Sequence, residues 1–141
     1  IKKQKWESVA AISDGKNTTN FSAGAGLAVG NHSVLIVGGD NGAIFHQIET
    51  YLSQIAQAKS EEEKAELIAK KNKLVTNHPG FYNGILLYNT LTDQWKKIDE
   101  LPFLPHVTTP AVLWDKKTIL SNGEKKPGIR TPDVMLGTLK K

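Results

Sequence analysis

Apolar positions along the chain fall into two periods, and the change between them divides it. Short runs of β-branched, aromatic and small apolar residues bounded by Gly, Asn and Asp predict strands. They cover residues 5–12, stopped by Ser13-Asp14-Gly15; the small, glycine-rich residues 21–29; and residues 33–37, which end on Gly38-Gly39. From Ala43 the spacing lengthens. Ile44, Ile48, Tyr51, Leu52 and Ile55 lie on one stripe of a helix, packed in expectation against the strands. Ser60, followed three residues later by Glu63, forms a capping box that opens a second helix through Leu74. Asn77-His78-Pro79-Gly80 closes this helical hairpin, and strand patterning returns over residues 82–89, 94–98, 108–114, 117–121 and 133–139. The connector Leu101-Pro102-Phe103-Leu104-Pro105 and a polar loop over 122–132 separate the later strands.

The strands repeat. Residues 21–29 correspond in pattern to 108–114, 33–39 to 117–123, and 82–89 to 133–139. A diglycine closing a second strand, then Tyr88 and Trp95 on the next two, resembles a kelch repeat, whose blades are four-stranded sheets of a propeller. Asn122-Gly123 stands where the diglycine does in the second copy, and Trp6 stands where Trp95 does. The competing architecture is a β-sandwich in which these spacings are coincidental. The expected fold is mainly β: about two four-stranded blades of a propeller with an inserted helical hairpin. Residues 1–12 form a strand of an adjacent or closing blade. Residues 19–99 form one blade with a helical insertion over 43–76, and 106–141 form a second blade lacking its own last strand.

Composition changes this picture in few places. The 141 residues, 39% hydrophobic and 23% charged, suit one folded domain by size, yet two blades cannot close a ring. The missing blades are expected from further sequence or from another chain. The chain opens on Ile1-Lys2-Lys3, the pattern of an interior segment or a matured product. No apolar run approaches the ~20 residues of a membrane-spanning helix. The absence of cysteine excludes disulfides, thiolate metal sites and cysteine nucleophiles. Net charge is +4, but five lysines (Lys2, Lys3, Lys5, Lys140 and Lys141) sit at the ends, and without them the remainder carries −1. A nucleic-acid role is therefore not expected. No phosphate-binding loop, dinucleotide fingerprint or metal-ligand cluster is present, and no cofactor or metal is expected.

The candidate chemistry lies at 122–131, Asn-Gly-Glu-Lys-Lys-Pro-Gly-Ile-Arg-Thr. Glu124 follows the end of a strand, and Arg130 lies six residues on, beyond a Pro-Gly turn able to fold the loop back on itself. A carboxylate beside a guanidinium can accept a proton near neutral pH, and a guanidinium can hold a substrate carboxylate in two hydrogen bonds. The plainer reading of this pair is a surface ion pair that steadies a loop. His78, Asn122 and Lys126 are secondary candidates for contacting substrate: His78 at the return from the helical excursion, Asn122 in the turn, and Lys126 as positive potential. His32 and His46 are assigned no role.

With Phe21-Ser22-Ala23-Gly24 and the helical insertion after Gly39, this segment resembles the N-acetylneuraminate epimerases, or sialic acid mutarotases, including their circularly permuted branch. The resemblance spans the chain but only about a third of such a protein. It implies a six-bladed propeller and an isomerase that interconverts the α and β anomers of N-acetylneuraminate. In that family the glutamate of the motif is the proposed proton acceptor and its arginine a substrate-site residue, roles that fall on Glu124 and Arg130. It also implies a sugar-acid substrate and a periplasmic or exported bacterial location. The alternatives are a kelch protein-interaction module using the same rim loops, and a sialic acid binder without catalysis.

Overall fold

The computed structural model describes residues 5–18 and 21–139. Two antiparallel sheets make up its β portion. The first has the order β1 (Ala25–Val29), β2 (Ser33–Val37), β3 (Gly84–Asn89), β4 (Gln94–Glu100). Between β2 and β3 stand α1 (Ala43–Gln57) and α2 (Glu61–Thr76). The second sheet has the order β5 (Ala111–Trp114), β6 (Lys117–Lys126), β7 (Ile129–Thr138). Each sheet is a meander of sequential neighbours, the topology of a propeller blade. The chain is a kelch-type propeller segment carrying an inserted helical hairpin.

The first blade is apolar on both faces. Leu27, Leu35 and Leu87 lie abreast across β1, β2 and β3, as do Ala25, Val37 and Ile85. This face packs on Leu120, Ala111 and Met135 of the second blade, and the main core cluster sits between the two sheets. On the opposite face, Tyr88 stacks on Trp95 with ring centroids 4.9 Å apart. The Tyr88 hydroxyl donates to Asp93 Oδ1, which also accepts the Ala10 N–H at 2.8 Å, while Trp95 Nε1 donates to the Ala10 carbonyl at 3.0 Å. The aromatic pair of the repeat thus clasps the incoming N-terminal segment.

Several expectations are corrected. Described residues 5–12 form no strand, and Trp6 is exposed; residues 1–4 lie outside the described part. A strand needs a ladder partner, and here the Ala10 backbone is bonded to the side chains of Asp93 and Trp95 instead. The polar stretch 122–132 is a hairpin rather than a loop, with β6 and β7 continuing to a turn at Pro127-Gly128. Pro132 fits within β7 because β7 is an edge strand with no further strand beside it among the described residues. β5 starts at Ala111 instead of Thr108, since Thr108 adopts φ 55° and Pro110 has no N–H to donate. α1 packs chiefly on α2, with Ile44 of its stripe also lining a cleft against the connector at Phe103, and neither helix contains a buried residue. The Ser60 cap forms as its sequence indicates, with Oγ accepting the Glu63 N–H at 3.1 Å.

Candidate functional site

Antiparallel order decides where the loops gather. The ends of β2, β4 and β6 and the starts of β3, β5 and β7 share one rim. There the helical hairpin, the connector over 101–110 and the β6–β7 hairpin meet. Backbone contacts join them across the blades. Thr108 N–H donates to the Ala23 carbonyl at 3.1 Å, and the Lys125 carbonyl lies beside Gly80.

Glu124 is fixed on both edges of its strand. On one side its N–H donates to the Val107 carbonyl at 3.1 Å, and its carbonyl accepts the Val107 N–H at 2.9 Å. On the other side it lies opposite Arg130 on β7. Its Oε1 accepts the Gly128 N–H of the turn at 2.5 Å, while Oε2 stands 4.0 Å from Arg130 Nη2. The glutamate side chain is largely sheltered, 19% exposed, whereas that of Arg130 is 72% exposed. At that distance and exposure the ion pair contributes little stability. Its arrangement instead leaves one carboxylate oxygen uncommitted by backbone, beside a guanidinium open to a ligand.

Asn122 and Gly123 produce this geometry. The register of β6 against β7 shifts between Ser121 and Gly123, a bulge in which Asn122 has φ 40° and Gly123 φ 115°. A Cβ at Gly123 would stand 2.8 Å from the Val107 carbonyl, so only glycine permits the Val107–Glu124 pairing. Asn122 itself is exposed and shapes the bulge.

His78 is placed elsewhere on the rim, 3% exposed, in a cleft of about 730 Å³ between the base of the helical hairpin and the connector. Asp40, Phe81, Tyr82, Phe103 and Leu104 also line this cleft. His78 Nδ1 accepts the Gly80 N–H at 3.1 Å. Burial pushes its pKa below the ordinary 6.5; Asp40 opposes that shift and the Lys126 charge adds to it. Lys126, at the end of β6, is not among the residues that line this cleft. The structure therefore brings Glu124 and Arg130 together and places His78 in a neighbouring recess, apart from Asn122 and Lys126.

Two rim residues escaped the sequence reading. His106 is 1% exposed, and its Nδ1 has no hydrogen-bond partner among the described residues. It lies between Gly38 and Gly123, where the two blades meet. Asp40 follows the diglycine as Glu124 follows Asn122-Gly123. Extending the repeat alignment by one residue is the signal that finds it.

Fold and rim together define a kelch-type propeller segment whose loops present a carboxylate–guanidinium pair. A family model described as N-acetylneuraminate epimerase matches residues 1–141. The chain belongs to the N-acetylneuraminate epimerase family. It is similar to the N-acetylneuraminate epimerase of Salmonella typhimurium, 32% identical over 136 residues, covering 92% of this chain and 32% of that protein. It is also similar to that of Yersinia pestis (strain Pestoides F), 37% identical over 113 residues, covering 78% and 27% respectively. A solved structure titled "Structure of YjhT" superposes with a TM-score of 0.65 at 22% identity, covering 86% of this chain and 37% of that one. The chain thus spans about a third of the length of these relatives.

Proposed function

We propose that this chain supplies the Glu124–Arg130 edge of the active site of a sialic acid mutarotase, an isomerase acting on N-acetylneuraminate. The carrying observation is Glu124 itself. Its backbone is paired on both sides, one carboxylate oxygen is held by the Gly128 N–H, and the other faces an open guanidinium. Arg130 takes the carboxylate of the sugar acid in a charge-assisted contact. Glu124 accepts the proton of the anomeric hydroxyl as the bond from the anomeric carbon to the ring oxygen breaks. The electron pair of that bond goes to the ring oxygen, which takes up a proton, and the anomeric carbon becomes a ketone. Rotation about the adjacent carbon–carbon bond and the reverse proton transfers reclose the ring on the other face. Further blades, from additional sequence or another chain, complete the ring around this edge; the two blades alone are inactive.

The test is NMR exchange spectroscopy between the α and β anomers of N-acetylneuraminate, with a protein carrying the complete propeller. Glu124→Gln keeps the size and the acceptor for Gly128 but removes the base. General acid–base catalysis contributes about 10²–10⁴-fold, and the exchange rate is expected to fall by that order. An unchanged rate removes Glu124 from the mechanism.

A further inference from the structure

The two blades hold their rim carboxylates in the same way. Gly39 and Gly123 have φ 114° and 115°. Asp40 pairs with Ser22 through N–H to carbonyl bonds of 2.9 and 3.0 Å, as Glu124 pairs with Val107 through 2.9 and 3.1 Å. In each case one carboxylate oxygen is tied to an N–H of the loop that follows: Asp40 Oδ1 to Gly42 at 3.0 Å, Glu124 Oε1 to Gly128 at 2.5 Å. In each the second oxygen accepts no hydrogen bond from the described residues. That of Glu124 faces Arg130; Asp40 instead lines the 730 Å³ cleft, together with His78.

We propose that Asp40 is the first blade's counterpart of Glu124, and that with His78 it forms a subsite for two adjacent hydroxyl groups of the sugar's exocyclic chain. The proposal rests on the function assigned above, in which Glu124 and Arg130 hold the anomeric end. The recess has the chemistry of a polyol site. Because His78 Nδ1 accepts the Gly80 N–H, the neutral ring carries its proton on Nε2 and has a donor to offer. Asp40 offers an acceptor. A donor and an acceptor lining one cleft suit a vicinal diol, in which one hydroxyl accepts and the other donates. Phe81, Phe103 and Leu104 supply apolar walls for the carbon chain. Gly80, in the floor of the cleft, approaches the Lys125 backbone, so the recess adjoins the hairpin that carries Glu124.

The experiment compares two sugars with a complete-propeller protein by NMR anomer exchange. One is N-acetylneuraminate; the other is its analogue shortened by periodate cleavage and reduction, which lacks the two terminal hydroxyl-bearing carbons. Wild type should prefer the full-length sugar in kcat/KM by about tenfold or more, the effect of leaving buried polar groups unpaired. Asp40→Asn retains the acceptor for Gly42, and His78→Asn retains the acceptor for Gly80, so both variants should keep the native circular dichroism melt. In each, the preference should collapse toward unity. Equal turnover of both sugars by wild type overturns the subsite and leaves the mutarotase reading standing, as does a variant that slows both sugars equally. Absence of exchange with either sugar overturns the mutarotase reading itself, and the subsite with it.

Discussion

The same row of the repeat is buried in one blade and open in the other. Leu27, Leu35 and Leu87 lie abreast in the first sheet; Val112, Ile119 and Leu136 lie abreast in the second, at the corresponding distance before Gly39 and Gly123. Leu27 and Leu35 are 8% and 2% exposed, whereas Val112 and Leu136 are 49% and 61% exposed. Residue type scarcely differs between the rows. What differs is the neighbour, because the second blade covers the first row and no blade among the described residues covers the second. Burial in this architecture is thus set by the next repeat more than by the strand's own sequence.

The largest expected effect tests this directly. Leu35→Ala removes a buried side chain between blades and should destabilise the chain by about 2–5 kcal/mol in denaturant unfolding. Leu136→Ala, on the open row, should change it by roughly 0.5 kcal/mol or less. In a longer protein with a further blade in place, the cost of Leu136→Ala should rise toward that of Leu35→Ala. Equal costs in the chain by itself would mean that something already covers the open row, and the comparison would fail.

A second contrast lies at the rim. Gly39 and Gly123 share a backbone conformation that costs other residues about 1–3 kcal/mol. Their surroundings differ. A Cβ at Gly39 would meet the Phe21 ring first, at 2.9 Å, and a ring can turn aside. At Gly123 it would meet the Val107 carbonyl, at 2.8 Å, which is committed to the Glu124 N–H. Gly123→Ala should therefore be the more destabilising of the two in thermal melts. It should also abolish hydrogen-exchange protection of the Glu124 amide. If Gly39→Ala proves as damaging, the Val107 clamp is not what holds Glu124.

Local chemistry was legible in the sequence, and non-local pairing was not. The helical hairpin announces itself through the period of Ile44, Ile48 and Tyr51 and through the Ser60 cap, all settled within a few residues. Glu124 and Arg130 could be brought together on paper because a Pro-Gly turn lies between them. The extent of β6 and β7 was hidden because the cross-strand pairs of that hairpin are polar and have the composition of a loop. The cleft around His78 was hidden for a different reason: its walls come from segments near residues 40, 80 and 103, which only the fold assembles. Asp40 is marked only by its place after the diglycine, which points to it once the repeat is aligned one residue further. The strand expected over residues 5–12 does not form because its pattern is local whereas a ladder is not, and the Ala10 backbone bonds to the side chains of Asp93 and Trp95 instead.

The smallest effect concerns the outer strands. In the first blade, Tyr88, Trp95 and Asp93 clasp Ala10; in the second, Gly137 occupies the register position of Tyr88, and the described sheet has three strands. The Tyr88 hydroxyl and, after it, the Ala10 amide hold the Asp93 pKa below its ordinary 3.8, while the bond to Asp93 raises that of Tyr88. A carboxylate with a lowered folded-state pKa contributes stability that is present in full above 3.8 and is lost as pH falls through the folded value. Wild type should therefore melt higher than Asp93→Asn at neutral pH, with the gap narrowing only below pH 3.8. Tyr88→Phe should remove much of that acid-dependent gap while leaving the Trp95 bond to Ala10 intact. A gap that persists unchanged at pH 2 would mean that the clasp is held by packing of the aromatic pair rather than by the carboxylate. The N-terminal segment would then be fixed to the first blade in the way one blade face packs on another.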